Sequence, residues 1–353
     1  MKIVIKERLK TICSNENGMH RYFGWPSVAR LQNGSLAMVA SGFRLTHICP
    51  FGKVILCRSY DEGKTWSAPE IIMDTCLDDR DGGIMTFGED GVIVTTFNNS
   101  ISFQRRYQGK SEYRKGYLDE ISVMPDAEKY LGSSMIVSKD GGLTFGDIKM
   151  LPISSPHGPC VLPDGKILYV GRLFNDIDSI SHIECHIIDE NGNSEYRSRI
   201  ADVSPDLLSC EPHAIVLPDG KIIVHIRVQD SNNKVFTIYQ SVSTDGGYTF
   251  SEPKQLVGDK GGSPAHLIRH SSGKLISVYG HREVPYGIKA MFSDDDGESW
   301  DIDNIILGDE PSPDLGYPCS VELTNGDILT VLYTREPGKT YDVIRQVVWN
   351  FEK

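Results

Sequence analysis

The sequence contains no long apolar run and no excess of positive charge. No stretch approaches the roughly 18 apolar residues that a membrane span requires. The formal net charge is −12, so the protein as a whole repels the phosphates of nucleic acids and anionic lipids. A few arginines in a pocket would still suffice for a small anionic ligand. We therefore expect neither a nucleic-acid partner nor a membrane partner.

Metal and disulfide signatures are missing as well. The eight cysteines are scattered, and no two of them stand at C-x-x-C spacing, which indicates buried reduced thiols rather than disulfides or a zinc site. We expect no metal and no cofactor. The N-terminal segment MKIVIKERLKTI alternates apolar and charged residues and has no apolar core of a secretion signal. This predicts a cytoplasmic protein, or a secreted or periplasmic one where a leader has been removed.

The sequence does contain a repeated hairpin. Two apolar runs are joined by a short turn that ends in glycine, as in RLQNGSLAMV, VLPDGKILYV and ELTNGDILTV. Such turns between alternating apolar runs are a strong hairpin signal. The turn glycines recur every 53 to 57 residues, with one longer gap of 74; they are Gly34, Gly91, Gly165, Gly220, Gly273 and Gly326. Six hairpins at a four-strand spacing predict an all-β, six-bladed β-propeller.

A second motif, S-x-D-x-G-x-[ST]-[WF], alternates with the hairpins. It begins at Ser59, Ser138, Ser243 and Ser293. Its aspartate can cap backbone N–H groups in a tight turn and its glycine can take a positive φ, so we interpret it as structural rather than as a calcium or sugar site. These Asp boxes resemble those of the sialidase superfamily. The resemblance implies a sialidase-like propeller and an exo-acting glycoside hydrolase.

The ends of the chain are expected to meet in the last blade. This blade has no Asp box and ends in TYDVIRQVVW, so the N-terminal KIVIKER should supply its outer strand and close the ring. The long gap lies in the second blade and predicts an insertion at about residues 98–131. We therefore expect a single domain over residues 1–353. The insertion could be a lid, an oligomer contact or a solvated loop, and the oligomeric state stays open.

Strand lengths predict which residues share one rim of the propeller. Positions about nine residues before each turn glycine, and seven to nine after it, should lie at the same end of the blades. Charged, aromatic and imidazole side chains concentrate there, whereas the strand middles are Val, Ile and Leu. The rim set includes Trp25, Asp81, His157, Glu211, Arg172, Arg227, Arg282 and Tyr317. Burying arginines is costly unless they pair, which predicts a concave site for an anion.

The resemblance to sialidases implies a role for several of these residues. SCEPHAIVLPDGKIIVHIR resembles the family's glutamate strand, with Glu211 as general base and Arg227 as a carboxylate ligand. YGHREVPYGIKAMFSDDDG resembles the segment of another arginine, Arg282. DLGYPCSVELTNGDILTVLY resembles the nucleophile strand, which makes Tyr317 the nucleophile. A neutral phenol suits attack at an anomeric carbon that carries a carboxylate.

Two features of the family pattern are absent. The first arginine of the family lies in an R-I-P motif, whereas this chain has Phe23-Gly24-Trp25-Pro26. Arg80 is the preferred replacement, with Arg44 and Arg172 as alternatives. The family's acid aspartate is missing from THICPFGKVILCRS, which offers only His47. Asp81 or Asp79 is therefore expected to act as acid/base, with His47 in reserve.

Other rim residues have two interpretations. Trp25 could stack on a sugar or belong to the core. His157 and His213 could bind substrate or be structural, and they lack the short spacing of metal ligands.

The leading hypothesis is a retaining exo-glycosidase that removes a terminal acidic sugar, sialic acid above all. A uronic acid or another ulosonic acid such as KDO would suit the same pocket. A catalytically silent glycan-binding propeller is the alternative from another class, and a protein-interaction scaffold would leave the rim arginines unexplained.

Overall fold

The computed structural model describes residues 1–174, 182–232 and 234–352. Its strands, in chain order, are β1 (Lys2–Cys13), β2 (Tyr22–Arg30), β3 (Leu36–Arg44), β4 (Lys53–Ser59), β5 (Glu70–Met73), β6 (Arg80–Phe87), β7 (Gly91–Asn98), β8 (Gly132–Ser138), β9 (Lys149–Leu151), β10 (Ile153–Ser154), β11 (Cys160–Val161), β12 (Ile167–Leu173), β13 (Ile183–Ile188), β14 (Ser194–Ile200), β15 (Leu208–Val216), β16 (Ile222–Gln229), β17 (Phe236–Ser243), β18 (Lys254–Gln255), β19 (Ala265–Arg269), β20 (Leu275–His281), β21 (Gly287–Ser293), β22 (Asp301–Leu307), β23 (Gly316–Glu322), β24 (Ile328–Arg335) and β25 (Asp342–Glu352). The described helices are α1 (Ile101–Tyr107) and α2 (Glu112–Ile121). Neither is long and apolar enough to cross a bilayer.

The strands form six antiparallel sheets that are the blades of a propeller. In strand order the sheets are β2-β3-β4-β5, β6-β7-β8-β9, β10-β12-β13-β14 with β11 also on β12, β15-β16-β17-β18, β19-β20-β21-β22, and β1-β25-β24-β23. Neighbouring blades touch through their inner strands, and β2 of the first blade contacts β23 of the last. The predicted all-β, six-bladed propeller is confirmed.

The N-terminal strand closes the last blade, as predicted. β1 pairs antiparallel with β25, with Lys2 opposite Glu352 and Ile5 opposite Trp349. Met1, Ile3 and Leu9 pack against the core cluster that contains Trp349. The first and last segments of the chain therefore complete one sheet.

The hairpin glycines explain the turns between the inner strands. Gly34, Gly165, Gly220, Gly273 and Gly326 all have φ between 80° and 89°, the left-handed region that glycine enters without steric cost. In the second blade the left-handed glycine is Gly88 (φ 56°), whereas Gly91, the predicted turn residue, is the first residue of β7. The FGEDG turn is therefore shifted by three residues relative to the other hairpins.

The Asp boxes are structural staples, as expected. In the first box the Asp61 carboxylate accepts hydrogen bonds from Ser59, from the Thr65 backbone N–H at 2.8 Å and from the Thr65 hydroxyl at 2.6 Å. The box aromatic, Trp66, donates from Nε1 to Gln346 of β25, in the neighbouring blade, at 2.7 Å. Each box therefore stabilises its own turn, and this one also joins two blades.

Both helices lie between β7 and β8, in the segment where the insertion was predicted. Ser100 and Ser111 cap their N-termini by accepting from backbone N–H groups of the first turn. Leu118 and Ile121 of α2 are buried against Leu77 and Ile101. The insertion thus has a small apolar core of its own, next to the loop between β3 and β4.

Candidate active site

Four of the six innermost strands contain a β-bulge at the same position near the strand start, where the pairing with the next strand breaks register. One residue in each bulge has a left-handed backbone: Trp25 (φ 55°), Asp81 (49°), Glu211 (47°) and Tyr317 (48°). For residues other than glycine this conformation costs on the order of 1–2 kcal/mol, and such strain concentrates at functional sites. The repeated bulge brings these side chains to one end of the ring.

A phenol, a carboxylate and a guanidinium group meet at this end. Tyr317 donates from its hydroxyl to Glu211 Oε1 at 2.6 Å. Arg227 Nη1 donates to Glu211 Oε2 at 2.6 Å and to the Tyr317 hydroxyl oxygen at 3.1 Å. The side chains come from β15, β16 and β23, so the fourth and sixth blades build this triad together. The structure brings together the three residues that the sequence paired as nucleophile, base and arginine.

The charges of the triad fit proton transfer from tyrosine to glutamate. Burial, and then the neighbouring Glu211 carboxylate, raise the pKa of Tyr317 well above its usual value. Burial acts to raise the pKa of Glu211, but Arg227 and the Tyr317 hydrogen bond outweigh it, and the net shift is downward. The resting state is therefore a neutral phenol hydrogen-bonded to an ionised carboxylate, and the carboxylate is placed to accept the phenol proton.

Arg282 also lies near the tyrosine, and its guanidinium carbon is 6.0 Å from the Tyr317 ring centroid. Its Nε donates to the Leu315 carbonyl at 3.1 Å and its Nη2 to the Tyr333 hydroxyl at 3.1 Å. Among the described residues, Nη1 has no hydrogen-bond partner. Arg282 is thus held by two bonds and keeps one donor nitrogen for a ligand.

The second predicted carboxylate ligand, Arg227, is occupied on its other edge. Its Nε donates to Gln229 Oε1 at 2.8 Å, and Nη2 donates to the same oxygen. Phe236 lies beside both arginines, with its ring centroid 4.6 Å from the Arg227 guanidinium carbon and 5.3 Å from that of Arg282. Both arginines were predicted to bind a substrate carboxylate; in the structure Arg282 has an open donor, whereas all three nitrogens of Arg227 have partners. Gln229 fills the edge of Arg227 that would pair with a carboxylate.

A hydrogen-bonded network leads from Arg282 to the loop between β3 and β4. Tyr333 donates to Asp314 Oδ1 at 2.9 Å, and His47 Nδ1 is 3.0 Å from the same oxygen. Tyr22 donates to Asp314 Oδ2 at 3.1 Å. His47 and its hydrogen bond hold the pKa of Asp314 well below its usual range, although burial opposes this. Asp314 is therefore an ionised carboxylate that joins Tyr22, His47 and Tyr333 by hydrogen bonds.

Asp81 is almost fully buried, with 4% of its surface exposed. Its Oδ1 atom has no hydrogen-bond partner among the described residues. Burial raises its pKa to about 7; Arg80 opposes the shift and Glu211 adds to it. It lines a cavity of about 100 Å³ whose other walls are Phe97, Asn99, Ser154, Ser155, Pro156, Arg172, Leu173, Phe174, Cys210 and Glu211. A carboxyl group that is protonated near neutrality can donate a hydrogen bond or a proton there.

Arg80 lies between Asp81 and Trp25. Its guanidinium carbon is 4.1 Å from the indole centroid, and Nη1 donates to the His47 carbonyl at 2.9 Å. Negative groups nearby, Asp78 first, raise the pKa of Arg80 despite its burial. It lies on the same side of the ring as Tyr317 and stays the preferred third arginine.

Two predicted site residues have structural partners instead. Arg44, fully buried, forms a bidentate ion pair with Asp78 and also donates to Ser41 Oγ at 2.7 Å. Asp79, also fully buried, accepts from the Thr75 backbone N–H at 2.7 Å and from its hydroxyl at 2.8 Å. Neither lines the cavities at the rim. The spacing of the strands could not predict that these two side chains pair with buried groups.

Trp25 and the two predicted histidines are also core residues. Trp25 is fully buried beneath Arg80 and Arg44, so it is not a stacking platform for a sugar. His157 and His213 pack with His266, with ring centroids 4.3 to 5.5 Å apart. Burial lowers the pKa of each of these imidazoles well below 6.5. They form a neutral cluster separate from the triad.

Four residues of the site were not found from the sequence: Gln229, Phe236, Asp314 and Tyr333. Phe236 and Asp314 line a second cavity of about 360 Å³. Its other lining residues are Arg227, Lys260, Arg282, Glu283 and Pro313. The only signal for Asp314 was its place three residues before Tyr317 in DLGYP. Among the described residues no cluster of three or more His, Cys, Asp or Glu side chains is arranged to hold a metal ion.

Comparison with known proteins places the chain in a family. Residues 121–330, more than half of the sequence, match the family described as BNR repeat-like domain. The chain belongs to the BNR repeat-like family. Three of the four Asp boxes, those that begin at Ser138, Ser243 and Ser293, lie within the matched residues.

Solved structures share the fold of this BNR repeat-like chain at low sequence identity. A protein of unknown function from Dyadobacter fermentans is 18% identical, with a TM-score of 0.80 and 99% of both chains covered. The NanB sialidase of Streptococcus pneumoniae is 14% identical, with a TM-score of 0.67 over 97% of this chain and 70% of that one. The α-L-arabinanase of Penicillium chrysogenum is 13% identical, with a TM-score of 0.65 over 99% and 98%. No curated protein matches in sequence. At these identities the likeness establishes the propeller, and glycosidases are among its neighbours.

Proposed function

We propose that this protein is an exo-acting, retaining glycoside hydrolase that removes a terminal acidic sugar, most specifically a sialic acid. The observation that carries the proposal is the triad of Tyr317, Glu211 and Arg227 on bulged strands at one end of the ring. A tyrosine whose hydroxyl donates to an ionised glutamate is arranged as a nucleophile with its base.

In the first step the Tyr317 oxygen bonds to the anomeric carbon while the glycosidic C–O bond breaks. The Tyr317 proton passes to Glu211 Oε1, 2.6 Å away, and the leaving oxygen takes a proton from an acid at the mouth. In the second step water attacks the anomeric carbon and the bond from that carbon to the Tyr317 oxygen breaks. The acid group now accepts a proton from the water, and Glu211 returns its proton to the Tyr317 oxygen. Two displacements at one carbon retain its configuration.

A carboxylate on the sugar would bind to the arginines. Arg282 offers Nη1, and the Nε–Nη2 edge of Arg227 becomes available if the sugar carboxylate displaces Gln229. The amide oxygen of Gln229 is neutral, whereas a carboxylate brings a full negative charge and two oxygens for bidentate pairing with the guanidinium, which favours the exchange. The neutral phenol supports the same substrate class, because an ionised nucleophile would be repelled by a carboxylate on the reacting carbon.

Sugar release from a panel of glycosides tests the proposal. Sialosides, KDO glycosides and glucuronides are incubated with wild-type protein and with Tyr317→Phe, which leaves the ring but removes the nucleophile. We expect release from the sialosides by the wild type and none by the variant. Release only from KDO glycosides or glucuronides would show that the substrate is another acidic sugar and not a sialic acid. Binding of an acidic sugar without turnover, unaffected by Tyr317→Phe, would identify a silent glycan-binding propeller instead.

A further inference from the structure

We infer that His47, positioned by Asp314, is the acid/base residue of this site. The inference rests on the proposed function and names the group that handles the proton of the leaving group. Of the acid/base candidates predicted from the sequence, Asp81 and His47 remain, since Asp79 has structural partners. Two observations separate them: the exposure of the side chains and the position of the free ring nitrogen of His47.

Exposure separates the candidates first. In an exo-acting enzyme the leaving group projects from the pocket towards solvent, so its acid must reach the mouth. The Asp81 side chain is 4% exposed and lines the cavity of about 100 Å³ beside Glu211. The side chains of His47 and Asp314 are 41% and 28% exposed, and Asp314 lines the second cavity, of about 360 Å³, with Arg227 and Arg282. His47 is therefore placed for the leaving group, and Asp81 for a hydroxyl or other substituent of the bound sugar.

The histidine ring has the orientation that acid/base catalysis requires. Nδ1 lies 3.0 Å from Asp314 Oδ1 and 3.1 Å from the Tyr22 hydroxyl. Among the described residues Nε2 has no hydrogen-bond partner. A carboxylate on Nδ1 fixes the tautomer and leaves Nε2 to exchange a proton, as in other enzymes that use an acid–histidine pair.

Contacts with buried residues also fix the position of the histidine relative to Tyr317. Its ring centroid is 4.9 Å from that of Trp25, whose own centroid is 6.4 Å from that of Tyr317. Its backbone carbonyl accepts hydrogen bonds from Arg44 Nη2 and Arg80 Nη1, both at 2.9 Å. The buried Arg44 and Trp25 thus have a structural role that supports the site.

The insertion secures the same loop from outside. Tyr113 and Tyr117 of α2 pack on Phe51, with centroids 4.9 and 4.6 Å apart, respectively. Arg114 donates to Thr46 Oγ1 at 3.4 Å and to the Ile48 carbonyl at 3.3 Å. The loop that carries His47 is therefore fixed by the blades on one side and by the insertion on the other.

The proton balance of the proposed reaction is complete with this residue. Protonated His47 gives its Nε2 proton to the glycosidic oxygen as the C–O bond breaks, and then takes a proton from the water that releases the sugar from Tyr317. Nδ1–H stays with Asp314 throughout. The charged and titratable groups around the ring are Asp314, Tyr22, Arg44, Arg80 and Arg282. Burial lowers the pKa of His47 below 6.5 and Asp314 opposes this shift, so we expect activity to fall as the pH rises above that pKa.

Leaving-group dependence tests the inference. His47→Gln, Asp314→Asn and Asp81→Asn are compared on an acidic glycoside with a sugar leaving group and on its 4-nitrophenyl counterpart, which needs little protonation. For His47→Gln we expect kcat/KM to fall by about 10²–10⁴-fold on the first substrate and far less on the second. Asp314→Asn should move the alkaline limb of the pH profile to lower pH, because the imidazolium loses its carboxylate. The His270→Gln variant, at a hairpin turn, is the control and should match the wild type in both assays.

The outcomes separate this inference from the proposed function. The assignment of His47 is wrong, while the proposed glycosidase stands, in either of two outcomes. In the first, His47→Gln keeps the wild-type pH profile and its kcat/KM falls equally on both substrates. In the second, only Asp81→Asn lowers kcat/KM more on the substrate with the sugar leaving group than on its 4-nitrophenyl counterpart. If the wild type hydrolyses no acidic glycoside, the proposed function fails and the assignment with it. Thermal unfolding of each variant checks that its fold is intact, and we expect no large change for His47→Gln because its side chain is partly exposed.

Discussion

At the scale of single residues, the site depends on groups whose charge is set by burial. Asp81 has a raised pKa of about 7, above the roughly 3.9 of an unfolded chain. The folded protein therefore binds more protons than the unfolded chain between pH 4 and 7, and the carboxyl costs increasing stability as the pH rises through that window. This cost is consistent with a residue kept for function, since its left-handed backbone and unpaired oxygen are unfavourable as well.

Asp81→Asn tests this account by stability. Asparagine tolerates the left-handed backbone and cannot ionise, so we expect the variant to gain free energy of unfolding relative to the wild type as the pH rises from 4 to 7. The variant should also be less active than the wild type. Chemical denaturation at a series of pH values measures the difference. Asp79→Asn is the comparison variant. Asp79 has a similar pKa, so we expect the same dependence on pH, but its carboxylate accepts two hydrogen bonds from Thr75, so the substitution should also cost stability at every pH. A difference independent of pH for Asp81→Asn would contradict the raised pKa.

The two arginines beside Tyr317 should differ in their effects on kinetics. Arg282→Lys removes the planar donor group that a sugar carboxylate would contact, so we expect KM to rise by about 10–100-fold, the loss of one charged hydrogen bond. Arg227→Lys disturbs the bonds to Glu211 and Tyr317 and should lower kcat, in addition to raising KM through the loss of its own contact with the carboxylate. Steady-state kinetics on the best sialoside separates the effects, with the surface variant Arg269→Lys as control. Equal changes in KM and kcat for both variants would refute the division of roles.

At the scale of elements, the repeated bulge and the closing strand have the largest consequences. The bulge recurs on β2, β6, β15 and β23, and it carries the residues of the site into one end of the ring. The last blade, which holds Tyr317 and Tyr333, is complete only with β1. The stability of the blade that contains Tyr317 is thus linked to the N-terminal strand.

Removal of residues 2–13 tests that link. The truncation exposes the edge of β25 and removes the apolar contacts of Ile3 and Leu9 with the core around Trp349. We expect Tm to fall by at least about 5 °C, since the lost strand is worth several kcal/mol, and we expect aggregation through the open edge. Ile5→Ser, at a partly exposed position of the same strand, should change Tm little. An unchanged Tm in the truncated protein would show that the ring does not need its closing strand.

At the scale of the whole molecule, the sequence predicts the ring and half of the site. Hairpin spacing locates Glu211, Arg227 and Tyr317, because residues at fixed distances from turn glycines lie at one end of every blade. The pairs of Arg44 with Asp78 and of His47 with Asp314 are not predictable in this way. They join a strand end or a loop to another loop, and the path of a loop is not given by the spacing of the strands.

The central claim is that Tyr317 forms a covalent bond with an acidic sugar at the mouth of the propeller. The most direct measurement is peptide mass spectrometry after reaction with a 2,3-difluorinated sialic acid, whose fluorine at C3 slows hydrolysis of the sugar–enzyme intermediate. The account predicts one added fluorosialyl group, carried by the peptide that contains Tyr317, in the wild type and none in Tyr317→Phe. A label on another residue, or equal labelling of the variant, would contradict it.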